Sequence, residues 1–313
     1  MRAVRCHDGH VHLTQVERPE GEGVRVRIAA AGICGSDLHL ISAGFPMAAT
    51  FGHEFAGVTD DGTAVAIEPI AACGACAACR RGAYNHCELG AFATTIGVGR
   101  DGGMAEEVVV PARCLVRLPS GLATRDACLT EPLAVAVHGV TLAGVAPSDR
   151  VAVVGGGSIG LCAVAVAREI TPSVALVARH DAQRAAGERL GATLDSAGDH
   201  DVVIDCAGTS ESMAEAVRLC RTGATLLMLA TYWEGLTLPS FEIAAKELRL
   251  IGSSSYATNG AARDIDIAAA ILARSPQIAD AIITHRLPLD AAAEAFAIAR
   301  DRAAGAIKVV LEP

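Results

Sequence analysis

The sequence predicts an α/β protein of two domains, a β-rich one and a doubly wound parallel sheet, and three observations carry that prediction. A chain of 313 residues is too long for one ordinary hydrophobic core. Its first third is a run of short strands and turns, whereas from Asp126 onward apolar strands alternate with helical stretches. A glycine pattern, Gly155-x-Gly157-x-x-Gly160, stands where the first of those strands gives way to a helix.

Taken in order, residues 3–6 and 11–16 flank an Asp8-Gly9 turn, a hairpin signal, and residues 24–29 alternate as a strand. Turns and short strands continue to about Leu118. Strands over 151–154, 174–177, 202–206 and 224–229 are then joined by helices over 158–168, 181–190 and 210–220. Continuous apolar strands joined by helices indicate a parallel sheet covered on both faces. Residues 248–253 and 282–287 read as further strands separated by a helix over 261–273, followed by a helix over 291–299 and a last strand over 308–311. That last strand does not resume the strand-helix rhythm and is expected to return to the first domain. The expected boundaries are therefore 1–125 with 283–313 for the β-rich domain, and 126–282 for the doubly wound one.

Composition excludes several classes of function. A formal charge of -9 opposes a phosphate backbone, and 3% aromatic residues offer few platforms for stacked bases, so nucleic acid is not an expected partner. Residues 1–10 carry charged and polar side chains where a signal peptide would be apolar, so a reducing, cytoplasmic setting is expected. The longest uncharged run, residues 151–167, falls short of the roughly 20 residues that span a bilayer and is broken by glycines, so no membrane association is expected.

In a reducing setting the eleven cysteines point to metal or redox chemistry before disulfides. Cys73, Cys76, Cys79 and Cys87 follow the spacing C-x2-C-x2-C-x7-C, a tetrathiolate zinc clamp with no position open for chemistry. Cys34 with His53 and Glu54 offers mixed sulfur, nitrogen and oxygen donors, which suit a zinc that keeps one position for a reactant. Two zinc ions per chain are expected. Cys6, Cys114, Cys128, Cys162, Cys206 and Cys220 lie among apolar neighbours and read as core, and His7, His10 and His12 as a solvated strand face.

Gly155, Gly156, Gly157, Ser158, Ile159 and Gly160 form the expected dinucleotide loop. The first glycine makes the turn, the second admits a pyrophosphate and the third lets helix pack on sheet, with the phosphates on the helix N-terminus. At the end of the next strand an acid would accept ribose hydroxyls, but Ala178 stands there, followed by Arg179 and His180. A small residue followed by Arg suits the 2′-phosphate of NADP(H), which a carboxylate would repel, so NADP(H) is favoured over NAD(H). Asp181 reads as the N-cap of the following helix.

With these motifs in this order, the chain resembles the zinc-dependent medium-chain alcohol dehydrogenase family. The resemblance is carried by residues 32–39 (Gly-Ile-Cys-Gly-Ser-Asp-Leu-His), 52–57 (Gly-His-Glu-Phe-Ala-Gly), the four-cysteine lobe with Arg80-Arg81-Gly82, 101–106 (Asp-Gly-Gly-Met-Ala-Glu), Glu131-Pro132-Leu133, the glycine loop and 283–289 (Ile-Thr-His-Arg-Leu-Pro-Leu). His53-Glu54 and Glu131-Pro132-Leu133 look most like the sorbitol and threonine dehydrogenase branch.

The resemblance implies a GroES-like catalytic domain plus a Rossmann domain, usually assembled as homodimers or homotetramers. It implies catalytic zinc on Cys34 and His53, with Glu54 as a direct or exchangeable ligand and Glu131 as a further ligand or a holder of zinc-bound water. Glu131 also reads as a helix-capping carboxylate. Ser36 and His39 match the proton relay, and the four cysteines match the structural lobe. The implied reaction moves hydride between the cofactor and a small to medium, secondary alcohol or its carbonyl, with Leu40, Phe45, Phe92 and Leu133 as candidate pocket residues. The rivals are an NAD-linked polyol or threonine dehydrogenase and a non-catalytic dinucleotide-binding redox sensor. Two departures stand out: a short stretch between His39 and His53, and Ser255 where the polyol branch has Arg before Tyr256.

Overall fold

The computed structural model describes residues 1–45 and 49–313, which divide into two compact units. One comprises Met1–Glu131, Ala257–Ala279 and Ile283–Pro313; the other comprises Pro132–Tyr256 and Asp280–Ile282. The short stretch between His39 and His53 includes residues 46–48, which lie outside the described residues.

In chain order the elements of the first part are β1 (Arg2–His7), β2 (His10–Gln15), β3 (Val24–Gly32), α1 (Gly35–Ser42), β4 (Glu54–Thr59), β5 (Ala64–Ile67), α2 (Ala77–Arg80), α3 (Ala91–Thr94), β6 (Glu107–Val110) and β7 (Leu115–Arg117). There follow α4 (Thr130–Ala143), β8 (Val151–Val154), α5 (Ser158–Arg168), β9 (Val174–Val177), α6 (Asp181–Arg189), β10 (His200–Asp205), α7 (Ser210–Leu219), β11 (Cys220–Met228), α8 (Ser240–Ala245) and β12 (Arg249–Gly252). The chain ends with β13 (Thr258–Asn259), β14 (Ala262–Arg263), α9 (Asp264–Arg274), α10 (Gln277–Ile282), β15 (Ile283–Pro288), α11 (Ala292–Arg300) and β16 (Lys308–Glu312).

β1 and β2 form the expected hairpin, turning through Asp8 and Gly9, both at positive φ, as a two-residue turn between twisted strands requires. The main sheet of this unit runs β15-β16-β3-β4-β5-β7. β6 pairs with residues 24–27 of β3, while β16 pairs with residues 31 and 32. The last strand thus returns to the β-rich unit, as its break in rhythm predicts. Phe51, Phe55, Ile67, Ile96 and Met104 fill the core beneath.

Residues 257–279, expected with the doubly wound domain, belong to the β-rich unit. The reason is polar: Arg263 pairs at 2.9 Å with Glu68, which is buried, and donates to the carbonyls of Arg113 and Leu115. The Thr258 N–H also donates to the Gly82 carbonyl at 3.1 Å. A buried carboxylate must be paired, and here the sequence partner lies 195 residues away.

The second unit holds a five-stranded parallel sheet in the order β12-β11-β10-β8-β9. Val151, Ala152 and Val153 are fully buried, and α5 is buried from Gly160 through Ala167, so these segments read as apolar on every side. Sheet order reverses between β8 and β10, the switch point at which doubly wound sheets bind ligands beyond the carboxyl ends of their strands. One local expectation is corrected: His180, not Asp181, is the N-cap of α6. Asp181 is the first helical residue, exposed, and pairs with Arg184 one turn on.

Candidate active site

In the β-rich unit, β3 delivers Cys34 to the start of α1, where it is the N-cap in extended conformation. Asp37, at the third helical position, reaches back so that its Oδ2 accepts the Cys34 N–H at 3.0 Å. This orients the start of the helix and leaves Asp37 completely buried behind it. From the other side, Gly52 at φ 100° turns the chain so that His53 leads into β4, which begins at Glu54. A side chain at Gly52 would stand 2.8 Å from Met104, one at Gly102 would collide with the Gly52 carbonyl, and one at Gly103 with the Phe55 ring. Residues 102–104 can therefore lie directly on residues 50–52, and their three N–H groups donate to the carbonyls of Thr50, Gly52 and Phe51. The glycines of two separate motifs are needed for this one close approach, which sets His53 in place.

The structure brings one donor atom each of Cys34, His53 and Glu54 within 4.8 Å of one another. His53 is 8% exposed, its Nδ1 3.5 Å from Asp37 Oδ1 and its Nε2 3.5 Å from Ser36 Oγ. Burial opposes charging of His53, but Asp37, Cys34 and Glu131 outweigh it and hold the imidazole well above its ordinary range. The Asp37 carboxyl is raised, by burial against the pull of His53. The cluster therefore sets up a negative field around soft and borderline donors, which fits a dication such as zinc.

Glu131 is buried in the first turn of α4 and contributes to that field, but it is not among the three converging donors. His39 lies one turn beyond Ser36 on α1 and is exposed. Of the candidate pocket residues, Phe45 and Phe92 meet edge to face with ring centroids 5.3 Å apart, Leu40 is half-buried and Leu133 fully buried.

Sequence reasoning missed Asp37 and Lys308. Asp37 stands inside a quoted motif, three residues after the cysteine, where a carboxylate caps a helix. Lys308, 2% exposed, donates to both oxygens of Glu54; its signal is a charge at the head of the apolar run Val309, Val310 and Leu311.

The four-cysteine lobe also converges, with its sulfurs within 4.8 Å of one another and Cys73 Sγ 3.8 Å from Cys79 Sγ. Zinc–sulfur bonds of about 2.3 Å imply an edge of about 3.8 Å in a tetrahedron, so the lobe fits the ion. Backbone N–H groups of Glu88 and Cys79 hold the Cys76 thiol down at about 6, and that of Cys73 lowers Cys87. Such donors favour the thiolate that a metal needs. All eleven cysteines are free; Cys114, Cys128, Cys162 and Cys220 are buried as expected, while Cys6 and Cys206 are half-buried.

In the second unit the glycine loop follows β8 directly. Gly155 lies at φ 106°, where a side chain would also stand 2.9 Å from the Ala207 backbone. A Cβ at Gly156 would crowd Ala178 and Gln183 at 2.7 Å, and one at Gly160 would collide with the Gly155 carbonyl. Gly157 is the N-cap of α5, so Ser158, Ile159 and Gly160 form its first turn, the end of a helix at which an anion is favoured. At the end of β9, Arg179 is exposed and His180 half-buried. Arg184 donates to the carbonyls of Ala178 and Arg179 at 3.1 Å and 2.8 Å, placing a second guanidinium there.

A chain that carries both a parallel-sheet unit with this loop and a β-rich unit with two sulfur-containing donor clusters has the parts of a metal-assisted dehydrogenase. Residues 20–120 match the family model described as alcohol dehydrogenase GroES-like domain, and residues 158–270 match that of zinc-binding dehydrogenase. The chain is 32% identical to sorbitol dehydrogenase of Arabidopsis thaliana over 74% of each chain. It is 30% identical to galactitol 1-phosphate 5-dehydrogenase of Escherichia coli strain K12 over 98% of each. Among solved structures, a zinc-binding dehydrogenase of Sinorhizobium meliloti 1021 bound to NADP superposes with a TM-score of 0.86 at 33% identity, covering 100% of this chain and 99% of that one. The chain belongs to the zinc-dependent, NAD(P)-dependent medium-chain alcohol dehydrogenase family.

Proposed function

We propose that this enzyme moves hydride between NADP(H) and a small to medium secondary alcohol or its ketone. Cys34 and His53 hold a catalytic zinc and Cys73, Cys76, Cys79 and Cys87 hold a structural one. The convergence of Cys34, His53 and Glu54, with Ser36 against the imidazole, carries the reading. When bound, the zinc supplies Lewis acidity that eases loss of the hydroxyl proton, and the nicotinamide takes or gives the hydride. The chain's own residues do the rest. Asp37 fixes the His53 ring, as an outer carboxylate does for a metal-binding histidine. Ser36 accepts the proton leaving the substrate hydroxyl and His39, exposed on the same helix, passes it to water. Glu131 adds negative charge beside His53.

Preference for NADP(H) is supported by Arg179 and Arg184 at the end of β9, where no acid stands at Ala178, and by the NADP bound in the Sinorhizobium relative. A second reading, a polyol dehydrogenase, is favoured by the names of the sorbitol and galactitol 1-phosphate enzymes. An alcohol and carbonyl screen followed at the nicotinamide absorbance, with both cofactors and after chelation, tests both. Turnover with NADPH on simple ketones supports the first reading. NADH-linked turnover confined to polyols overturns it in favour of the second.

A further inference from the structure

In the β-rich unit, α11 lies against β2, and the two flank an open cavity of about 370 Å³. Its helix wall is one stripe of α11, Ala293, Phe296, Ala297 and Arg300, spaced three and four residues apart. Phe296 is 2% exposed and meets Phe51 edge to face with ring centroids 5.9 Å apart, so the floor is apolar and held in place. From the strand come His10 and His12, two residues apart and therefore on one side of β2, with ring centroids 6.3 Å and ring planes 61° apart. Both are exposed, as is Arg300. Although the chain carries a formal charge of -9, no acid among the described residues lines the cavity. Of the acids beside these residues in the chain, Asp8 lies 3.4 Å from His7, Asp301 accepts the Ala304 N–H at 3.1 Å, and Glu294 is exposed outside the wall.

We propose that this cavity binds a small phosphomonoester with an apolar body, at a site that shares no residue with the metal clusters or the glycine loop. A guanidinium fork and two imidazoles supply N–H donors to an anion. Rings inclined at 61° do not direct their N–H groups in one plane, which suits the tetrahedral oxygens of a phosphate better than a flat carboxylate. The volume is that of a small-molecule site, and Phe296 with Ala293 and Ala297 covers the apolar body. A metal ion on the two histidines is disfavoured, because Arg300 sets a positive charge beside it and the lining offers no thiolate or carboxylate as a third ligand.

The test is a calorimetric titration of phenyl phosphate into the full-length enzyme already holding its nicotinamide cofactor, so that the dinucleotide loop is occupied. One molecule per chain is expected to bind, more tightly than inorganic phosphate. Arg300→Ala and the double variant His10→Ala/His12→Ala each weaken it about tenfold or more, with circular dichroism and zinc content kept, since all three side chains are exposed. No binding to the wild-type enzyme overturns the proposal, as does binding that neither variant weakens, which places the phosphate elsewhere. Equal affinity for inorganic phosphate also overturns it, because the apolar floor then contributes nothing. Nickel(II) held by His10 and His12 with phenyl phosphate left unbound overturns it in favour of a metal site.

Discussion

At the scale of single residues, His53 is the pivot, because its two ring nitrogens face different neighbours, Asp37 and Ser36, at the same 3.5 Å. A ring set from behind by a carboxylate presents one tautomer to a metal, so Asp37→Asn is expected to weaken zinc binding at this site 10- to 100-fold, roughly. Titration with a competing chelator measures it. Cys34→Ser removes the soft donor without touching the core, since Cys34 sits at a helix cap. Turnover should vanish while circular dichroism is retained, with metal analysis falling to about one zinc per chain. For the cofactor, if Arg179 makes the proposed charge-assisted contact to a 2′-phosphate, Arg179→Ala should raise the Km for NADPH about tenfold or more with that for NADH little changed. An equal rise for both would remove Arg179 from the assignment.

At the scale of elements, the four-cysteine lobe is chain that is ordered by little else: α2 has four residues and its cap hydrogen bond is to a cysteine sulfur. Its ties to the rest of the unit include the Gly82 carbonyl, which accepts from the Thr258 N–H, and Tyr84, whose hydroxyl donates to Glu68 and lies 3.1 Å from the Ala257 carbonyl. Cys76→Ser is expected to lower the thermal midpoint and loosen residues 257–263, seen as faster amide exchange there, while the Cys34 cluster keeps its metal. Loss of both metals together would mean that the two clusters are not independent. The strands and helices that were read from the sequence lie within a few residues of their place because their periodicity is local, whereas α1, α4, α8 and α10 were not read from it. The N-cap of α6 was missed for the opposite reason: Asp181 has the right side chain for a cap, yet its pairing with Arg184 draws it into the helix.

At the scale of the whole molecule, a cofactor that binds only the folded protein raises stability by mass action, about 2.7 kcal/mol at 100 times its Kd. NADPH should therefore raise the thermal midpoint by several degrees, and NADH at the same concentration by less. The reverse order would overturn the cofactor preference. Among the described residues no helix is long and apolar enough to cross a membrane.

The sequence by itself determined the chemistry that is written locally: four cysteines within fifteen residues, a glycine loop between strand and helix, and a cysteine at the head of α1. Spacing along the chain limits where such donors can go, so the tetrathiolate lobe and the dinucleotide loop follow from it. Only the tertiary structure decided what surrounds them. Lys308 reaches Glu54 across 254 residues of chain and Arg263 reaches Glu68 across 195. Buried charges take the partner that folding places beside them, whatever its position in the sequence, because an unpaired charge in the core costs more than the long loop needed to pair it.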